Sequence, residues 1–325
     1  GLGQDLFQLF PKLLSHYEGL MGKDKLDLFV KSHYLFPKLK RVAATQPNIY
    51  EDAISMMSAG VFYSANYTRV LRSFFKLEPH MAFGYSMGEC SSMWYSLGVW
   101  HPNGAQKFRN SPIFKNRFAG KLELLAEHWG ISTEEAKERC VSLVLIAPRT
   151  EVEKLVKPEP QVYLTFINTE NEVIISGDKT ACQAIAQKLN CPVIEIPFQN
   201  IIHQDFCKKE ELGLLDMHNF EVTDQSGIDF YSSIALSKIP VESLKIAQNS
   251  VDVCAQQVDF PKMVETMYHE GARIFIELGA NATCTNWIAS NLKGKAHLAV
   301  SINQKGKTDI QSLLTLLAQL LSHGV

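Results

Sequence analysis

The sequence predicts an α/β protein: a large domain built on a mostly parallel sheet, interrupted by a small unit with the order β-α-β-β-α-β. Three features of the 325 residues predict it. Strand and helix patterns alternate towards both ends of the chain, the alternation gives way to paired strands between residues 141 and 198, and one strand runs through a small-residue turn straight into a helix. The 46% hydrophobic residues can fill a sizeable core, and a formal net charge of −2 excludes both disorder and the basic footprint of a nucleic-acid binder. Cys90, Cys140, Cys182, Cys191, Cys207, Cys254 and Cys284 are scattered and nowhere spaced C-x-x-C, so neither a disulfide framework nor a metal site is expected, and a cytoplasmic setting is. The apolar runs 141–147 and 313–321 fall short of the ~20 residues a membrane helix needs, and the start of the chain does not resemble a signal peptide.

Taken in order, Ile49, Ala53, Met57, Val61 and Ala65 return at helical spacing and predict one helix over 49–77. A strand is expected at His80–Gly84, then the turn Gly84-Tyr85-Ser86-Met87-Gly88, then a helical stretch stopping near Gly98. Pro112 opens a further helical run, and Ser132 with Glu135 marks another helix start. Next come a strand at 141–147, a helix at 150–156, strands at 162–167 and 172–176 around a polar turn, a helix at 179–189 and a strand at 193–197. That order is the ferredoxin-like unit, so residues 139–198 are expected to form a small domain inserted into a large one made of 1–138 and 199–325. Beyond it, 260–269 is helical, 273–278 and 298–302 are strands, and 309–322 is a terminal helix.

Gly84-x-Ser86-x-Gly88 has the form of a nucleophile elbow, in which glycines permit the sharp turn that lifts a serine hydroxyl above a sheet edge. Such a serine needs a base within hydrogen-bond reach and donors for an oxyanion, and the Met87 N–H at the helix start is the first candidate donor. His16, His33, His128, His269 and His323 lie on helical stretches among polar neighbours, as solvated histidines do. His203 instead follows a strand within the polar segment 198–205, where scaffolds present working groups.

Gly84-Tyr85-Ser86-Met87-Gly88-Glu89 resembles the elbow of the acyltransferase domains of fatty acid and polyketide synthases. Asn168-x-x-Asn171-Glu172-Val173-Ile174-Ile175-Ser176-Gly177 resembles that family's hairpin, and Ile276-Glu277-Leu278-Gly279 its late strand. With Tyr85 in place of the usual histidine, and with Pro261-x-x-Val264-Glu265-Thr266-Met267-Tyr268, the chain is most similar to the acyltransferase domains of polyunsaturated fatty acid synthases. The resemblance implies an α/β-hydrolase-like large domain and a Ser86–His203 dyad whose imidazole is oriented by a backbone carbonyl, from a segment that aligns with Val258-Asp259-Phe260. It implies an acyl-CoA substrate, malonyl-CoA foremost, and acceptance of the acyl group by the phosphopantetheine of an acyl carrier protein. The setting would be a multidomain synthase, without a permanently bound cofactor. The family opens with a strand and a loop that supplies a second oxyanion donor. This chain starts at Gly1-Leu2-Gly3-Gln4-Asp5, like the helix after that loop, so strand and loop are expected upstream.

Malonyl-specific members pair the substrate carboxylate with an arginine fork. Arg117, on the run opened by Pro112, is the expected partner and Arg109 the alternative; Asn200-Ile201-Ile202 before His203 matches neither of the family's familiar selectivity tetrads. Two other functions fit parts of the pattern. A serine hydrolase such as a thioesterase would recruit a late histidine, His297, and would leave the β-α-β-β-α-β unit unexplained. A degenerate domain that only docks a carrier protein would have no use for both Ser86 and His203.

Overall fold

In the computed structural model the chain is described over residues 5–13, 53–101, 107–108, 111–197, 199–223 and 227–325. Residues 49–52 of the first expected helix, Gly1–Gln4, His16, His33 and Arg109 lie outside them. The first long helix is Ala53–Arg69 (α1), widening into a π-type turn over Val70–Phe74 that closes with Lys76 at φ +59°. Strand β1 is Met81–Ala82. It is shorter than expected because the backbone leaves the extended region to form the elbow. A π-type turn at Gly88–Ser92 leads into the helix Met93–Ser96 (α2), which stops at Gly98 with φ +78°. Ser132 caps Thr133–Arg139 (α3) by accepting from the Glu135 N–H, the role its spacing predicts.

From Cys140 the six elements follow the expected order: β2 (Cys140–Leu145), α4 (Arg149–Val156), β3 (Val162–Thr169), β4 (Glu172–Asp178), α5 (Lys179–Leu189) and β5 (Val193–Glu195). Strand β2 pairs antiparallel with β4 and β5, and β3 pairs antiparallel with β4. A fifth strand, β7 (Val258–Asp259), joins parallel to β3 and gives the order β5-β2-β4-β3-β7. The layer closes on its own core of Val141, Leu143, Leu145, Ile167, Val173 and Ile185.

Outside this unit the described strand pairs are parallel, as an α/β pattern requires. β1 pairs with β6 (Asp229–Phe230), and β8 (Ile274–Glu277) with β9 (Leu298–Ser301). Asp259 caps α8 (Phe260–His269) through the Lys262 N–H, and Thr308 with Gln311 forms a full capping box on α10 (Asp309–Ser322). Three helices carry no sequence expectation: Glu211–His218 (α6), Ser243–Ala255 (α7) and the one at Thr283–Asn291. None of the three starts has a side-chain cap, the local signal that marks α3, α5, α8 and α10. Helix α9 is Thr283–Asn291. No helix among the described residues is long and apolar enough to cross a membrane.

The elbow is bolted to the 232–235 loop and to α7 by Glu89. Its buried carboxylate accepts from the Ser233 N–H at 3.0 and 3.1 Å and from Asn249 Nδ2 on α7 at 2.8 Å. Burial pushes its pKa up, and the hydrogen bonds from Ser233 and Asn249 oppose that shift. Glu89→Ala orphans the buried N–H of Ser233 and the amide of Asn249. At about 1–3 kcal/mol for each unsatisfied group, urea denaturation is expected to show a loss of roughly 2–5 kcal/mol, with Glu89→Gln less affected because it keeps an acceptor.

Candidate active site

Ser86 sits at φ +53°, in the left-handed region where a non-glycine residue is strained. The Gly88 N–H donates to the Tyr85 carbonyl at 2.8 Å, and the N–H groups of Glu89 and Cys90 donate to the Ser86 carbonyl at 2.9 and 3.0 Å. These bonds fold the chain back beneath the hydroxyl. Of the two glycines only Gly84 is sterically required: a Cβ there would lie 2.0 Å from the Glu89 nitrogen, whereas at Gly88 it would meet nothing within 4 Å. Met87 stands at the N-terminal end of the following turn, where backbone N–H groups lack intrahelical acceptors.

His203 reaches this serine from the segment after β5. Its ring is 1% exposed and its backbone is left-handed at φ +67°. Ser86 Oγ lies 2.8 Å from His203 Nε2, and His203 Nδ1 lies 2.7 Å from the Val253 carbonyl. A carbonyl can only accept, so Nδ1 carries the hydrogen and the Nε2 lone pair takes the Ser86 hydroxyl proton. The His203 backbone N–H donates to the next carbonyl, Cys254, at 2.7 Å. Both acceptors belong to the last turn of α7, whose carbonyls have no partner within the helix. That negative helix end would favour an imidazolium formed when Nε2 takes a proton, without placing a fixed carboxylate beside it. Burial, opposed by hydrogen bonding to Val253 and Gln256, lowers the His203 pKa to about 4. The ring is therefore neutral, in its base form, at neutral pH.

Two expected roles are corrected. The 258–260 segment does not orient the imidazole, since Val253 does. Asp259 is occupied by Arg149 at 3.1 Å, by Lys262 Nζ at 3.2 Å and by the cap of α8. Arg117 does not present a free fork. Its Nε donates to Glu210 at 2.6 Å, Nη2 donates to Glu127 at 2.7 Å, and Nη1 is paired with Glu127 as well. The hydrogen bonds it donates to Glu127, then to Glu210, raise its pKa further. A guanidinium saturated by two carboxylates has no bidentate face left for a third. His297 is not brought to Ser86; its Nδ1 donates to the Lys295 carbonyl at 2.8 Å on an exposed loop.

Sequence reasoning missed Val253, Phe166 and the partners of Tyr85. The Phe166 ring lies 4.5 Å from the His203 ring at 62°, and Tyr85 stacks on Phe166 at 4.9 Å. The amphipathic spacing of Ile246, Val253 and Cys254 is the signal from which α7, and hence its unpaired terminal carbonyls, was readable.

An elbow serine and a buried histidine 2.8 Å apart form a nucleophile–base pair on an α/β frame, and the frame has known counterparts. The chain has the fold of acyltransferase domains. It superposes on the acyltransferase domain from the second module of the salinomycin polyketide synthase with a TM-score of 0.72 and 16% identity, over 98% of this chain and 69% of that one. It superposes on the malonyl CoA-acyl carrier protein transacylase of Clostridium perfringens with a TM-score of 0.71 and 17% identity, over 100% and 94%. In sequence it is similar to a polyunsaturated fatty acid synthase subunit of Thraustochytrium sp., with 23% identity over 352 aligned positions. That match takes in 100% of this chain and 17% of the synthase subunit's length. No protein-family model matches the chain.

Two outcomes follow for this site. With the His203 pKa lowered to about 4, the acid limb of kcat/KM for Ser86 acylation is expected well below the ~6.5 of an unperturbed histidine; a limb near that value would mean that the ring is solvated. Gly84→Ala is expected to abolish Ser86 acylation or to prevent folding. Gly88→Ala should keep the activity and gain up to about 1 kcal/mol of stability, read by thermal melting, as alanine replaces glycine at a helix start.

Proposed function

We propose that this chain transfers an acyl group from coenzyme A, through an acyl-Ser86 intermediate, to the phosphopantetheine thiol of an acyl carrier protein. The observation that carries the reading is the 2.8 Å contact of Ser86 Oγ with an Nε2 whose tautomer is set by the Val253 carbonyl. Ser86 Oγ attacks the thioester carbonyl as its proton passes to Nε2, and the Met87 N–H takes the developing oxyanion. Collapse breaks the C–S bond, and Nε2 returns the proton to the departing coenzyme A thiol. The carrier thiol then attacks the acyl-serine with His203 again as base, and the proton restores the serine hydroxyl. No cofactor is consumed: the acyl-CoA thioester and the carrier thiol go in, and the acyl-carrier thioester and free coenzyme A thiol come out.

The strand order of residues 140–195 supports reading 139–198 as a ferredoxin-like domain inserted into an α/β-hydrolase-like large domain of residues 1–138 and 199–325. The sequence similarity to a synthase subunit supports a place beside other domains of a larger synthase that makes fatty acids of the polyunsaturated type. The seven free cysteines suit a reducing cytoplasm. A hydrolase using His297 is disfavoured because that ring is held by Lys295. A docking domain without turnover is disfavoured because nucleophile and base are already hydrogen-bonded.

The test is intact-mass measurement after mixing with acyl-CoA and then with a phosphopantetheinylated carrier protein. Wild type should gain the acyl mass and lose it to the carrier. Ser86→Ala should never gain it, and His203→Ala should gain it roughly 10²- to 10⁴-fold more slowly. Release of free acid with no acylated carrier would make the protein a hydrolase, and acylation of Ser86→Ala would remove the assignment.

A further inference from the structure

Three partly exposed aromatic rings stand together beside the partly exposed Ser86: Tyr85, Phe166 and Trp287. Tyr85 stacks on Phe166 at 4.9 Å and meets Trp287 at 5.0 Å, and the Phe166 edge abuts the His203 ring. Each polar handle in the group is turned away from solvent and used. Tyr85 Oη donates to Asn168 Oδ1 at 2.8 Å, while Asn168 Nδ2 and Trp287 Nε1 both donate to Glu172 Oε1, at 3.0 and 2.8 Å. What remains beside the nucleophile is ring surface held rigidly from behind.

The charged groups described around this site give a carboxylate-bearing acyl group no partner. The one charge in the aromatic network is Glu172, an anion. Arg117, the expected fork, is saturated by Glu127 and Glu210, and Arg149 is shared between Glu153 and Asp259. Among the described residues, the influences on His203 are burial and hydrogen bonds to the backbone at Val253 and Gln256. A free carboxylate entering a partly desolvated site without a cation is strongly penalised, whereas an apolar chain laid on an aromatic face gains from the contact.

We propose that this site selects acyl thioesters whose acyl chain carries no charge, with Phe166 as the wall against which the chain packs. The inference rests on the acyl-transfer reading above and adds to it the class of acyl group.

The experiment compares the rates of Ser86 acylation by acetyl-CoA, hexanoyl-CoA and malonyl-CoA, read as intact mass on the whole chain. Wild type, Phe166→Ala, Phe166→Leu and Arg109→Ala are compared, with Ser86→Ala as the blank. In wild type both uncharged donors should outpace malonyl-CoA by about tenfold or more. Phe166→Ala should lower the hexanoyl-to-acetyl rate ratio by about tenfold, and Phe166→Leu should restore most of it; a merely structural role would lower both rates together and leave the ratio alone. Arg109→Ala should leave the order of donors unchanged. Malonyl-CoA as the fastest donor, a malonyl rate that collapses only in Arg109→Ala, or an unchanged hexanoyl-to-acetyl ratio in Phe166→Ala would overturn the selectivity while leaving acyl transfer standing. Labelling by none of the three donors would overturn acyl transfer itself, and the selectivity with it.

Discussion

The hydrogen bond from His203 Nδ1 to the Val253 carbonyl is the constraint on which the rest of the site depends. It fixes which ring nitrogen is free to accept, and so turns a 2.8 Å serine contact into a directed proton path. The same helix end also takes the His203 backbone N–H through Cys254, which holds the residue in its left-handed conformation. Two bonds to one helix terminus therefore set the position, orientation and tautomer of the base. Burial then keeps the ring neutral, and the unpaired carbonyl end of α7 stands ready for the positive charge that appears only when the proton moves.

The serine side of the dyad is built on an opposite logic. Its geometry is strained rather than relaxed, with φ positive at Ser86 and with Gly84 pressed against the Glu89 nitrogen. Strain of this kind persists only where the surroundings over-determine it. Here Glu89 ties the turn to the 232–235 loop and to α7, the helix that orients His203. Nucleophile and base are thus referenced to one helix, so a displacement of α7 carries both and preserves their separation.

Much of this was legible in the sequence because the signals were local. The cap at Ser132 and the six-element order from 140 to 195 are written in adjacent residues, as is the elbow with its two glycines. Ser86 and His203 were found by turn chemistry, by position after a strand and by resemblance to a family. The rest was illegible for one physical reason: it depends on which distant groups meet. Whether Arg117 is a free fork or a neutralised one is decided by Glu127 and Glu210, and Glu210 lies 93 positions along the chain. Which carbonyl faces the imidazole is decided by where α7 ends, and although apolar spacing marks that helix, its uncapped start leaves its bounds unmarked. Tyr85 could be seen to depart from the family pattern, but not that its hydroxyl would reach Asn168 and leave its ring to support Phe166.

The central claim, that a buried and neutral His203 with its proton on Nδ1 is the base for Ser86, is tested most directly by ¹⁵N-edited NMR of the histidine rings, with His203→Gln used to assign the signal. The expected result is a ring carrying hydrogen on Nδ1 and a free Nε2 at neutral pH, titrating near the value of about 4 set by its burial. A proton on Nε2, or titration near the ~6.5 of a solvated imidazole, would contradict it.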